Sequence, residues 1–248
     1  MLTQAKTWTA ATPDPGAGPL PRWLAIIAAV SLIPLILVLW ASPHRLAPVY
    51  YISMLVLGWL LLGQGRWQRL AIRLQRLPGP VWLRFLVLGY GAVVAEEMIV
   101  GTTFALAEGA GPQVWLARMG QFIALNLLAF SGAIWGLGIA YGRWPQLRAH
   151  HVWLAGVWGL IAEGVWSITV GNPIAGAIIA GPTIAVYAII LAPAMLSLPA
   201  PRGPAAPVWQ LPLVWLGMFA LSVAPVALLF ALRGAVPWAF PSCEYIAC

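Results

Sequence analysis

Seven apolar stretches fill most of this sequence, at 22–41, 47–63, 81–106, 117–141, 152–170, 174–197 and 210–232. A helix needs about 20 apolar residues to cross a bilayer. The second and fifth stretches are short, and the connections between stretches are too brief to hold a soluble domain. Only 8% of the 248 residues are charged, against roughly 25% in a soluble domain. That shortage excludes a water-soluble enzyme, a disordered tail and a disulfide scaffold. The expected fold is an all-α, polytopic transmembrane helix bundle of about seven spans.

Residues 1–21 carry Pro13, Pro15, Gly16, Gly18, Pro19 and Pro21 and read as a flexible cytoplasmic tail. They lack the basic start and small-residue cleavage site of a signal peptide, so the first span is expected to stay as an anchor. Residues 22–241 form one transmembrane domain, and 242–248 a short outside tail. With the N-terminus inside, Lys6, Arg22, Arg66, Arg69, Arg73, Arg76, Arg84, Arg143, Arg148 and Arg202 fall on the cytoplasmic side, and Arg45, Arg118 and Arg233 outside. This bias follows the positive-inside rule and leaves the C-terminus outside. The implied location is a cytoplasmic membrane of bacterial type. The net charge of +7 then reflects topology and contact with anionic lipid, and nucleic acid is not an expected partner. The 15 tryptophans suit the headgroup level, where indole rings concentrate.

Between Gln64 and Pro80, Arg66, Arg69, Arg73 and Arg76 recur at steps of three and four and share a helix face. Trp67, Leu70, Leu74 and Leu77 form the neighbouring apolar stripe. The pattern predicts a short interfacial helix that anchors the topology and meets anionic lipid.

Several chemistries are excluded. His44, His150 and His151 fall in loops, so no span offers an imidazole to haem, chlorophyll or a metal, and no cofactor is expected. Lys6 is the only lysine, which removes a retinal Schiff base from a late span. Cys243 and Cys248 lie in the outside tail, where an oxidising compartment would let them pair. Position 245 is Tyr, so the C-terminus is no prenylation box.

Glu96-Glu97 resembles the start of the EExxxR motif of the CAAX-protease and bacteriocin-processing family. Gly101 stands at the arginine position, and Phe122 to Asn126 reads FxxxN where that family has FxxxH. Separately, Ser131 to Leu137 is similar to the serine loop of rhomboid proteases. A rhomboid needs a histidine on a later span to take the serine proton, and spans five to seven have none. Both resemblances therefore imply a degenerate relative without a complete catalytic set.

Three of the six acids fall within spans: Glu96, Glu97 and Glu163. A charged side chain at the bilayer centre costs roughly 2.5–3.5 kcal/mol on the insertion scale, so such a group is neutral, paired or turned to a polar cavity. Adjacent helix residues point about 100° apart, so Glu96 and Glu97 are expected to face different neighbours. Arg84 lies about 18 Å from Glu96 along the helix, too far to pair with it. Polar company could come from Asn126, Ser131 and Asn172, with Thr102, Thr103 and Ser167 behind them. Residues 89–96 can also be laid over 156–163, matching Gly, Ala and Glu at three positions, as a parallel internal repeat would. Gly132, Gly136, Gly138 and Gly142 give two GxxxG spacings that favour close helix packing. Pro182, Pro193 and Pro225 are expected to interrupt their helices. Trp158 and Trp166 share a span with Glu163.

Three functions fit. The first is a scaffold or accessory subunit of a membrane complex, its acids meeting a partner subunit. The second is a small proton- or cation-coupled transporter using the intramembrane glutamates. The third is a degenerate CAAX-protease-like protein.

Overall fold

The structure is a computed structural model, described over residues 22–40, 47–63, 65–107, 109–144, 149–199, 207 and 209–238. The tails 1–21 and 242–248 lie outside these residues, with Lys6, Cys243 and Cys248; so do His44, Arg45, Arg148 and Arg202. Among the described residues there is no strand. Ten α-helices follow one another: α1 (Arg22–Trp40), α2 (Ala47–Leu62), α3 (Arg66–Gln75), α4 (Val81–Ala107), α5 (Pro112–Ala129), α6 (Ser131–Arg143), α7 (Trp153–Ala162), α8 (Val165–Gly171), α9 (Pro173–Leu196) and α10 (Gln210–Ala235).

Apart from α3, these helices fall on the predicted apolar stretches. Among the described residues, three helical stretches are long and apolar enough to cross a membrane: Pro112–Arg143, Pro173–Leu196 and Gln210–Ala235. A fourth counts if α2 and α3, bent by 77° at Gly63–Gly65, are taken as one. The predicted fifth span departs most from expectation. It is a 10-residue α7 and a 7-residue α8, separated at Glu163 and Gly164. Gly164 adopts the left-handed conformation, with φ of 67°, which glycine reaches without a Cβ clash. Alone, α7 is about 15 Å long, half a bilayer's hydrocarbon thickness.

The central helix is α9, which packs against α1, α2, α3, α4, α7 and α8. Its start follows from sequence. Asn172 caps it by accepting from the Ala175 amide at 3.1 Å, and Pro173 occupies the first turn, where its missing N–H costs nothing. The expected interruptions do not occur: α9 runs unbroken through Pro182 and Pro193, and α10 through Pro225. Close helix neighbours can re-satisfy the freed groups.

Glycine sets how closely the helices approach. A Cβ on Gly156 would lie 2.4 Å from the Ile184 carbonyl oxygen, and one on Gly136 2.7 Å from Met218 Cα. Small-residue packing therefore joins α7 to α9 and α6 to α10.

One end of the bundle collects arginine. Gln75 Nε2 donates to the carbonyls of Leu196 and Leu198 at 3.1 and 2.8 Å. Arg84 donates to Leu77 and Ser197 carbonyls at 3.0 and 3.2 Å, and Tyr141 donates to the Pro199 carbonyl. The last carbonyls of α9 are thus capped by side chains from α3 and α4, with a cation at the negative end of the helix dipole. The basic segment forms the helix α3, with Trp67 and Ala71 buried and Arg69, Arg73 and Arg76 exposed. Arg66 is half-buried and lies 4.6 Å from the centre of the Trp59 ring. His151, expected in a solvated loop, is buried instead, because residues 149–152 form a 3-10 turn that packs on α9.

Candidate functional site

From the arginine end, α4 reaches Glu96 after Arg84, and α2 reaches Tyr50 counting back from Leu62. Each distance is about 18 Å at 1.5 Å per residue. The two side chains therefore meet deep within the apolar part of the bundle. Tyr50 donates its hydroxyl to Glu96 Oε1 at 2.5 Å. Glu96 is 7% exposed and Glu97 2%, so both turn inward although they are neighbours on one helix. As their spacing predicts, they meet different helices: Glu97 Oε1 accepts from Asn126 Nδ2 on α5.

The two carboxyl groups also act on one another as close neighbours on α4. Glu97 Oε2 is buried without a donor. Among the described residues, Glu163, another carboxylate, acts on both Glu96 and Glu97. Glu163 itself sits at the break after α7 and is exposed, where the sequence predicts a residue within a span. It accepts from the hydroxyl of Tyr187 on α9. Tyr187 is in electrostatic reach of all three acids, and Tyr51, stacked edge-on to Tyr50 at 5.2 Å, of Glu96 and Glu163.

Aromatic rings wall one side. Phe130 stacks on Tyr187 at 5.0 Å, and Trp158 leans on both rings. Trp158 Nε1 donates to Ser222 Oγ at 3.1 Å, which ties α7 to α10. Trp158 thus reaches the acid cluster through Tyr187. The side chain of Trp166 lies outside the described residues.

Two of the candidate acids, Glu96 and Glu97, are therefore buried side by side on α4 with Asn126 against Glu97, while Glu163 stands apart on Tyr187. Ser131 joins none of them: it pairs with Tyr90 at 2.8 Å and donates to the Leu127 carbonyl. Asn172 is the cap of α9. Thr102 accepts from Trp115 Nε1, while Thr103 and Ser167 bond to backbone carbonyls of their own turns. The repeat also finds no structural counterpart. Glu96 lies inside a 27-residue helix, whereas Glu163 terminates a 10-residue one.

Sequence reasoning missed the tyrosines. Tyr50 and Tyr51 stand near the start of an apolar stretch, where tyrosine reads as an interfacial belt. Tyr187 stands in the middle of one, and a hydroxyl placed there requires a partner. That was the available signal.

Chemically, the cluster is rich in acceptors and poor in donors. Two carboxyl groups, one of them with an orphaned oxygen, face the donors Tyr50 and Asn126. Among the described residues, no group of three His, Cys, Asp or Glu side chains is placed to hold a metal ion. The positions of the FxxxN and EE resemblances, Asn126 and Glu97, are in direct contact. Gly101, at that motif's arginine position, packs against Met119. No known protein family, curated protein or solved structure matches the chain.

Proposed function

We propose that this chain is a multi-pass integral membrane protein of about seven membrane-crossing segments, N-terminus inside and C-terminus outside, acting as a small proton- or cation-coupled transporter. Its coupling site is the cluster of Glu96, Glu97 and Glu163 with Tyr50, Tyr187 and Asn126. One observation carries this reading: the two buried acids turn toward donors of this chain, instead of outward to a partner's arginine. Intramembrane carboxyls so enclosed mark ion and proton pathways. The test is flux into proteoliposomes carrying a trapped pH dye under an imposed proton gradient. Wild type should dissipate the gradient, and Glu96→Gln should reduce the rate to that of protein-free vesicles. A wild-type rate no faster than empty vesicles rejects the assignment.

A second reading, the accessory subunit, is favoured by the exposure of Glu163 at a helix break. A partner's arginine would satisfy it there. A stoichiometric companion in a mild-detergent extract, loosened by Glu163→Gln, would be its signature. Kinship with the CAAX-protease group draws support from the Glu97–Asn126 contact, without a catalytic set.

The exposed Arg69, Arg73 and Arg76 form the face that meets anionic lipid. Each basic residue near an anionic surface contributes about 1 kcal/mol, so replacing all three by Gln should cut the preference for phosphatidylglycerol over phosphatidylcholine roughly a hundredfold. Quantifying lipid retained after detergent exchange from mixed vesicles measures this. An unchanged ratio removes the lipid-binding role.

A further inference from the structure

We propose that Glu96 and Glu97 hold a single exchangeable proton between their carboxyl groups, and that this proton is the ligand of the site. The inference deepens the transport reading above and rests on the same cluster. Ionised carboxylates only accept hydrogen bonds, whereas a protonated one also donates. Glu96 Oε1 takes the Tyr50 hydroxyl, and Glu97 Oε1 takes the Asn126 amide. That leaves Glu97 Oε2, buried and without a donor, beside a second carboxylate that cannot supply one.

A proton on Glu97 Oε2, donated to Glu96, resolves both defects together. It gives the orphaned oxygen a bond and removes one of two like charges in a medium where they repel strongly. A metal cation fits less well, since the acids do not form a metal-holding group of three. Around the pair, α2 contributes Tyr50 and Tyr51, α9 contributes Tyr187, and Glu163 stands at the end of α7. From α5 comes the uncharged Asn126. No arginine stands in this ring among the described residues. Arg84 is engaged at the far end of the bundle.

Exchange needs a way out, and Glu163 offers it. It is the exposed acid of the three, it acts electrostatically on both members of the pair, and buried Tyr187 bonds to it. Loading the pair protonates one carboxyl. Unloading returns that proton to water by way of Glu163, with no bond other than O–H made or broken.

Infrared difference spectroscopy of the full-length protein in nanodiscs, with exchange into D₂O, tests this. Wild type should show the C=O stretch of a hydrogen-bonded carboxylic acid, shifted on deuteration. Glu96→Gln and Glu97→Gln should each abolish the band, because glutamine brings its own N–H donor and the shared proton becomes unnecessary. Glu163→Gln should keep the band and slow its deuteration. Absence of the band in wild type overturns the proposal and needs no variant to fold; so does a band that survives both single replacements. The band is read without any gradient. Proteoliposomes without flux would therefore sink the transport reading and leave the shared proton standing, whereas flux without the band would overturn the shared proton and leave transport coupled to another cation.

Discussion

Leucine in place of Gly132 should destabilise the bundle by about 3 kcal/mol, lowering its melting temperature in detergent by about 10 °C. A Cβ there would lie 2.6 Å from Ser222 Cα, and one on Gly136 2.7 Å from Met218 Cα. Those are backbone atoms, which cannot swing aside as a side-chain tip can. The side chain would have to force α6 from α10, and the Trp158–Ser222 bond at 3.1 Å would go with it. Gly142 is the matched control. It belongs to the same run of glycines, yet nothing lies within 4 Å of its would-be Cβ, so Gly142→Leu should melt near wild type. Equal melting of Gly132→Leu and Gly142→Leu would show that the close approach of α6 to α10 does not hold the bundle together.

That contrast shows how far the sequence could be read. The glycine spacing announced close packing somewhere along 132–142 but not against which helix, since lipid and protein look alike to an apolar face. In the structure Gly132 and Gly136 serve α10, Gly138 meets Trp82 and Phe85 of α4, and Gly142 serves nothing nearby. Helix positions were legible because apolar length is itself the signal. The break at Glu163–Gly164 was not, because an isolated glycine in an apolar run reads equally as packing or as a turn until its φ is known. The prolines misled in the other direction. Their local cost is real, yet α9 continues through two of them while packed against six other helices.

The candidate site was half legible. Acids inside apolar stretches identify themselves by the cost of putting them there; Glu96 and Glu97 are indeed buried, whereas Glu163 is exposed at a helix break. Their partners were less visible. Asn126 stood out as an amide in an apolar run, but Ser131 and Asn172 looked equally eligible and went instead to Tyr90 and to a helix cap. Which polar residue meets which acid depends on the rotation of α5 against α4, and no periodicity within one helix reports that rotation.

The contact between Asn126 and Glu97 should prove strongly coupled. Asn126→Leu removes the donor to Glu97 Oε1 on a carboxyl whose other oxygen already lacks one. Glu97 is 2% exposed, so water cannot readily replace the amide. An unsatisfied buried polar group costs about 1–3 kcal/mol, and more when charged, so a loss of about 3 kcal/mol is expected. Glu97→Met alone should cost less, because it removes the acid and leaves only the smaller demand of an unpaired amide. Combining the two replaces the polar pair by an apolar one of similar bulk, which is often neutral or stabilising for buried groups. The double variant should therefore recover most of what Asn126→Leu loses, giving a coupling energy of about 3 kcal/mol in unfolding from mixed micelles. Additive single effects would mean that the amide and the acid do not depend on each other, and that Glu97 satisfies its oxygens elsewhere.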